Sequence, residues 1–274
     1  MKNILVPTDF SEASHNAAKY AVALANAFDA EVMLINANAP SIIGDDSSFA
    51  PVIITQAGIV ENNRRLMKEE VKMLSGEFPS KITGLVEQGF PAEVIDTMAE
   101  GKDVDLIVMG MKGRGRSEAV FGSITTTTVR KSTFPVLVIP EKASYKTIRN
   151  VTLASDFDAE IQMDTYSVLL ELAKNFNANI NILHVQKRDD SMNADEAIGK
   201  MSTSVAFSAL NHQFYTINER NVEEGISKFI EENPTDILVM VAHSHNLFRR
   251  LFGKVHTREM SYQTTIPLLV LRSR

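Results

Sequence analysis

Asn3-Ile4-Leu5-Val6-Pro7-Thr8-Asp9-Phe10 opens the chain, and Asn150-Val151-Thr152-Leu153-Ala154-Ser155-Asp156-Phe157 stands near its middle. Both are apolar runs of strand length that end in a hydroxyl residue, an aspartate and a phenylalanine. The match continues outward. Val32–Ala37 (VMLINA) pairs with Ile180–Val185 (INILHV), and Asp105–Met109 (DLIVM) with Asp236–Met240 (DILVM). Phe121-Gly122-Ser123 pairs with Phe252-Gly253-Lys254, and Pro135–Ile139 (PVLVI) with Pro267–Leu271 (PLLVL). One pattern therefore occurs twice. It predicts two domains, 1–140 and 147–274, with a polar linker at Glu141–Lys146 after Pro140. The length agrees, because 274 residues exceed what a single core usually holds.

The offset between the copies falls from 147 at Asp9/Asp156 to 131 at Asp105/Asp236, so the second copy is sixteen residues shorter between these landmarks. Much of the difference is expected in Asn38–Thr55, whose two Pro, one Gly, two Asp and three Ser read as a long loop. Loops of that length in a small domain are often functional lids. Between the apolar runs the period changes to that of a helix. Ala17, Ala18, Ala21, Leu24, Ala25 and Phe28 recur at helical spacing behind Ser11, a candidate cap. A second helix is expected over Thr55–Ser75, a strand over Ile82–Glu87, and a third helix starting at Pro91. Continuous apolar strands alternating with helices imply an α/β fold: two Rossmann-like, doubly wound domains. Each would be a five-stranded, mainly parallel sheet with helices on both faces.

Composition narrows the function. The net charge of -6 argues against nucleic-acid binding, which needs many cationic phosphate contacts. With no cysteine, disulfides, thiol catalysis and Cys-based zinc sites are excluded. No apolar run approaches the roughly 20 residues of a membrane span, and MKNILVPTDF lacks a signal-peptide pattern, so a cytoplasmic protein is expected.

Ligands of such folds sit beyond the carboxyl ends of the strands, where strand order reverses. In the first copy that place should collect Pro7, Thr8 and Asp9, then Ala37, then Met109, Gly110 and Gly113, and finally Gly122, Ser123, Ile124 and Thr125. Glycines permit sharp turns and close approach of backbone to a ligand. A helix starting at Gly122-Ser123 would offer unpaired N–H groups to phosphate. Lys112, Arg114 and Arg116 would add positive charge, and Asp9 could accept from an adenine amino group or a ribose. From spacing alone, a glycine turn with a serine cap explains the same residues.

The ensemble resembles the universal stress protein family, in which an apolar first strand ends in Pro-x-Asp and nucleotide-binding members carry Gly-x2-Gly-x9-Gly-(Ser/Thr). Pro7-Thr8-Asp9 matches the first, and Gly110, Gly113, Gly122 and Ser123 approximate the second, with eight residues (Arg114 to Phe121) in place of nine. The closing Pro135–Pro140 run is equally typical of the family. The resemblance covers nearly the whole chain, once per copy. It implies the adenine nucleotide alpha hydrolase-like fold and an adenine nucleotide, ATP or ADP or AMP, as ligand, with Mg2+ the metal that would accompany ATP. Asp9 and the backbone near Ala37 and Met109 would hold adenine and ribose; Gly110, Gly113, Gly122, Ser123, Ile124 and Thr125 would hold ribose and phosphates. It further implies that the copies pair through their last strands as an intramolecular pseudo-dimer, and it leaves room for a homodimer of the whole chain.

In the second copy Val241 and Ser244 replace Gly110 and Gly113, and Lys254 replaces Ser123, so a degenerate site with a structural or partner-binding role is expected. His243, His245 and His256, with His184 nearby, lack a recognised metal-ligand spacing and read as solvent-facing loop histidines. No glycine follows the first strand as in ATP-cleaving synthetases, and no Gly-x4-Gly-Lys-(Ser/Thr) loop occurs. The expectation is a nucleotide-binding regulatory protein of the stress response, not an enzyme, with any ATP hydrolysis slow and incidental. A scaffold acting through protein contacts is the alternative, and an ATP-using enzyme the third.

Overall fold

The structure, a computed structural model, describes residues 1–39, 56–111, 123–158, 162–187, 193–242 and 265–272; the side chains of Gln56, Ala57, Ser123 and Lys187 are not described. In the first half, strands β1 (Asn3–Pro7), β2 (Glu31–Asn38), β3 (Ile82–Gln88), β4 (Leu106–Met111) and β5 (Val136–Pro140) alternate with helices α1 (Glu12–Phe28), α2 (Gln56–Glu77), α3 (Pro91–Gly101) and α4 (Ser123–Lys131). The second half repeats the scheme with β6 (Asn150–Ala154), a 3-10 turn at Met163–Tyr166, α5 (Ser167–Phe176), β7 (Asn179–Lys187), α6 (Ala194–Ala206), β8 (His212–Glu219), α7 (Val222–Glu232), β9 (Ile237–Val241) and β10 (Leu268–Leu271). Each half is the doubly wound, Rossmann-like sheet that the alternation of patterns predicts.

The copies agree in small details because the same residues do the same work. Asp105 Oδ2 accepts the backbone N–H groups of Lys2 and Asn3, and Asp236 Oδ2 accepts those of Arg149 and Asn150 at 2.8 and 2.9 Å. Each aspartate thus ties the start of its strand to the start of the copy's first strand. After β1 and after β6 the chain turns through a phenylalanine with positive φ, Phe10 at 61° and Phe157 at 55°. A bulky residue there is strained by about 1–3 kcal/mol. The turn is held by Thr8 Oγ1 accepting from Phe10 N at 3.0 Å and by Ser155 Oγ accepting from Phe157 N at 3.1 Å.

The missing residues lie between β7 and β8, as the composition of the long loop suggests, but loop is only part of the loss. Val32 and Ile82, register partners on β2 and β3, are fifty residues apart, whereas Ile180 and His212 on β7 and β8 are thirty-two apart. Half of that deficit is helix, since α2 has 22 residues and α6 has 13. Pro40–Thr55, the bulk of the segment read as a loop, lies outside the described residues.

The described strands form one ten-stranded sheet in the order β3-β2-β1-β4-β5-β10-β9-β6-β7-β8. All neighbours run parallel except β5 and β10, which are antiparallel with Leu268 opposite Val138, Leu269 opposite Leu137 and Val270 opposite Val136. The two repeated halves fit an intramolecular pair joined through their last strands. One face of the sheet carries a core that runs across the junction, with Leu24, Leu34 and Leu74 from the first half and Leu153, Leu169 and Ile182 from the second. Phe28 at the end of α1 meets Phe176 at the end of α5 edge to face, centroids 5.7 Å apart, and Asn175 Nδ2 donates to Ala27 O at 3.0 Å. On the other face Val270 joins Leu5, Ile95, Ile107 and Val129 in the first half's core, and Leu183, Ile226 and Phe229 centre a separate cluster in the second.

The segment read as the polar linker, Glu141–Lys146, lies within a docked strap. Ala143 and Ile148 are buried, and Asn16 Nδ2 donates to Pro140 O at 3.1 Å and Ala143 O at 2.8 Å. Tyr145 sets its ring edge to face with Tyr20 of α1, 5.2 Å between centroids.

Two expectations follow. Val138 and Val270 are 1% and 2% exposed, so Val138→Asp or Val270→Asp should each cost about 3 kcal/mol or more in urea unfolding; the parent protein should unfold in one transition, and two resolved transitions would contradict the shared core. Burial, with smaller contributions from Tyr145 and Asp236, raises the Tyr20 phenol well above its ordinary value. The folded chain then keeps a proton that the unfolded chain releases above about pH 10. This part of the stability is complete below that pH and lost above it, so Tyr20→Phe should flatten the alkaline fall in melting temperature.

Candidate functional site

Strand order reverses between β1 and β4, and a cleft of about 250 Å³ lies at their carboxyl ends. Eight of the residues expected there line it: Pro7, Thr8, Asp9, Ala37, Met109, Gly110, Ile124 and Thr125. Gly113 and Gly122 lie outside the described residues, as do Lys112, Arg114 and Arg116, and of Ser123 only the backbone at the start of α4 is described.

Three elements shape the polar floor. Thr8, 5% exposed, lies with its Oγ1 3.1 Å from Ser14 Oγ and 3.3 Å from Glu70 Oε2. Glu70 of α2 is 6% exposed and stands 3.4 Å from His15 Nδ1. Asn36, a polar residue inside the apolar run VMLINA, donates from Nδ2 to Thr8 O at 2.8 Å, while its Oδ1 accepts from Asn38 Nδ2 and Asn63 Nδ2, both at 3.0 Å. The carbonyl before Asp9 is thereby fixed from β2, and β2 is in turn fixed from α2. Asp9 itself is exposed at the rim, where its Oδ1 accepts from Ser11 N at 3.1 Å. Ile35, Pro91, Ile95 and Met109 give the apolar wall. On the opposite side Thr125 Oγ1 donates to Gly110 O at 3.1 Å, which anchors the first turn of α4 against the end of β4.

Sequence reasoning missed Ser11, Ala13, Ser14, Ile35, Asn36, Pro91 and Ile95 as lining residues. Of these only Asn36 carried a signal, an amide where the strand needs an apolar side chain. Gly110 has a reason the sequence did not reveal. A Cβ on it would lie 2.4 Å from the Ala13 carbonyl oxygen, so the glycine lets the first turn of α1 press onto β4.

The second half keeps the scaffold of this corner and changes its contents. His184 occupies the place of Asn36 and makes the same contact, Nδ1 to Ser155 O at 3.0 Å. The expectation of solvent-facing histidines does not hold for it: it is 5% exposed and stacked on Phe157, 4.9 Å between centroids. Val241 sits where Gly110 does, and the described chain on that side resumes with the 3-10 turn at Met163–Tyr166 and α5 from Ser167. Gly199 lets α6 close in, since a Cβ there would fall on the Phe157 carbonyl. Ser244, Lys254, His243, His245 and His256 lie outside the described residues, and among the described residues no group of His, Asp and Glu could hold a metal.

Comparison with known proteins agrees with this geometry. The pattern of the Universal stress protein family matches residues 1–140 and again residues 147–272. A universal stress protein of Methanocaldococcus jannaschii is 37% identical over 146 residues, spanning 50% of this chain and 81% of that protein. One of Synechocystis is 23% identical over 297 residues, covering 99% of this chain and all of its own length. The crystal structure of a universal stress protein from Archaeoglobus fulgidus superposes with a TM-score of 0.74 at 16% identity, covering 99% of this chain and 98% of its own.

Gly110→Ala should destabilise the protein by about 1–3 kcal/mol through the forced contact with Ala13. Urea unfolding would check it; an unchanged midpoint would show that α1 can withdraw without loss.

Proposed function

Because this chain belongs to the universal stress protein family, and because its cleft stands at the switch point of the first sheet, we propose that it is a stress-response regulator that binds one adenine nucleotide, ATP or ADP or AMP, in its first half. The observation that carries this is the meeting, in one cleft, of an apolar wall, a carboxylate at the rim and the start of a helix. Ile35, Ile95 and Met109 offer flat apolar contact to a purine. Asp9 offers acceptors for an amino group or ribose hydroxyls, supported by the family pattern at Pro7-Thr8-Asp9 and by Ala37 beside it. At the opposite side Gly110, Ile124 and Thr125 stand at the first turn of α4, whose N–H groups suit phosphate oxygens. Gly113, Gly122 and Ser123 complete that cradle by the family pattern. Mg2+ would enter with ATP, held by the phosphates, as the described residues provide no ligand cluster for it.

The role is binding, not turnover. Asp9 is the only carboxylate lining the described cleft, and it is placed as an acceptor at the rim. The second half then serves as a structural partner, since Val241 and the packing of α6 on Phe157 replace the features that make the first cleft. A cytoplasmic setting agrees with the absence of cysteine, and among the described residues no helix is long and apolar enough to cross a membrane.

Calorimetric titration of the full chain with ATP, ADP and AMP tests the proposal. One site per chain is expected. Gly113→Val should abolish binding and Asp9→Ala should weaken it at least tenfold, while Asp156→Ala should leave it unchanged. Two equivalents per chain, or loss of binding through Asp156→Ala, would overturn the assignment to the first half. Sustained turnover that depends on a specific second substrate would overturn the binding role.

A further inference from the structure

β10 ends at Leu271, and the next residue, Arg272, reaches across to the first half. Its guanidinium is half-buried. Nη2 donates to Val129 O near the carboxyl end of α4 at 2.9 Å, and Nη1 donates to Ala242 O, just past β9, at 3.4 Å. One side chain of the second half thus joins a helix of the first to the strand ends beside it. The contact is one-sided. In the repeat Pro135–Ile139 aligns with Pro267–Leu271, so Pro140 holds the place of Arg272 in the first half, and its ring offers no donor.

The last carbonyls of a helix have no partner within it, and a cation beside them is favourable. In α4 the Thr128 carbonyl is met by Ser132 N at 2.8 Å and the Val129 carbonyl by Arg272. Val129 is buried, so water is no ready substitute for the guanidinium. Other polar hold in this region is sparse. Thr128 Oγ1 and, on the neighbouring α3, Asp96 Oδ1 are buried without a hydrogen-bond partner among the described residues. Asp96 acts on Arg272 through its charge instead. Burial lowers the guanidinium pKa from its ordinary value, and the Asp96 carboxylate opposes that. The group remains a cation.

α4 has nine residues and is about 13 Å long at 1.5 Å per residue. Its first turn carries Ile124 and Thr125 into the cleft, where Thr125 Oγ1 is tied to Gly110 O at 3.1 Å. The helix is therefore gripped at both ends, at one by the first half and at the other by the second. We propose that Arg272 is a positioning residue for the cleft: through it the second half sets how α4 is seated, and with α4 the phosphate side of the site. The inference rests on the nucleotide reading for its ligand, though not for the seat of the helix. Arg272 is absent from the cleft lining and acts only through α4. A helix this short moves as a unit, so a shift at Val129 carries to Ile124 and Thr125. The purine wall of Ile35, Ile95 and Met109 belongs to other elements.

Arg272→Met, which keeps the apolar stem and removes the donors and the charge, tests this in the full chain. Without ligand, the backbone amide NMR signals of Ile124 and Thr125 should move, and the amides of Thr127–Val129 should exchange at least tenfold faster, while those of α5 are unchanged. In calorimetry ATP should bind at least fivefold more weakly and adenosine within twofold of the parent, because only ATP carries phosphates to α4. Arg272→Lys, which keeps a cation and a donor, should recover part of both effects. Should Arg272→Met fail to fold, Arg272→Lys carries the same test with the same signs and smaller size. Changes confined to Val129–Ser132 with Ile124 and Thr125 unmoved, equal losses for ATP and adenosine, or an unchanged ATP affinity would overturn the proposal. If the parent chain binds neither ligand, the nucleotide reading fails, and the ligand-free spectra still decide whether Arg272 seats α4.

Discussion

A strand that is apolar on both faces cannot be left at an open edge without inviting another chain to pair with it. Val136–Pro140 and Leu268–Leu271 are such strands, and in this protein each covers the other. The rest of the architecture depends on that pairing. It merges two five-stranded sheets into one and places α1 beside α5, so that Phe28 meets Phe176. It also brings Val270 into the first half's core. The strap from Pro140 to Asn150 then has a fixed distance to cross, and it is pinned on the way by Asn16 and by the burial of Ala143 and Ile148.

The halves have diverged around one contact. In the first, the opening turn of α1 rests on Gly110; in the second, Val241 takes the position of that glycine. The turn that rests on Gly110 carries Ser11, Ala13 and Ser14 along the edge of the cleft. What the second half retains is the backbone device beneath, the hydroxyl-braced turn at Phe157 and the side chain on the second strand that fixes the preceding carbonyl. Because both halves carry the brace, the turn serves the fold of each.

Much of this was legible in the residues. The repeated apolar runs carry the strands, because a buried parallel strand has no polar face to interrupt it. The aspartates of DLIVM and DILVM are legible as a repeated pair, and their role in holding the first strands of each copy needs only that the strands be neighbours. Six of the eight expected residues that line the cleft sit at strand ends, which sequence locates well, and the other two, Ile124 and Thr125, sit in the first turn of α4. The residues missed are of another kind. Ser14 and Glu70 reach Thr8 from α1 and α2, and Asn63 reaches Asn36 from α2, across separations no local pattern encodes. Gly110 was legible as a glycine but not in its purpose, since a close approach to a helix and one to a ligand leave the same letter. That the linker is docked was not legible, because its polar residues give no sign of the burial of Ala143 and, just beyond it, of Ile148.

The pairing of β5 with β10 also has a history in time. β5 ends at Pro140, and its partner begins at Leu268, close to the end of the 274 residues. During synthesis at about 5–20 residues per second the first half would wait on the order of ten seconds with that strand uncovered. In that interval the nascent chain presents an apolar strand without its partner, and the same strand is present on every other nascent copy on the same message. Crowding of ribosomes would favour exchange between neighbouring chains, with the β10 of one closing the β5 of another. The order of the halves, and not their structure alone, thus sets when the molecule is most vulnerable to joining the wrong partner.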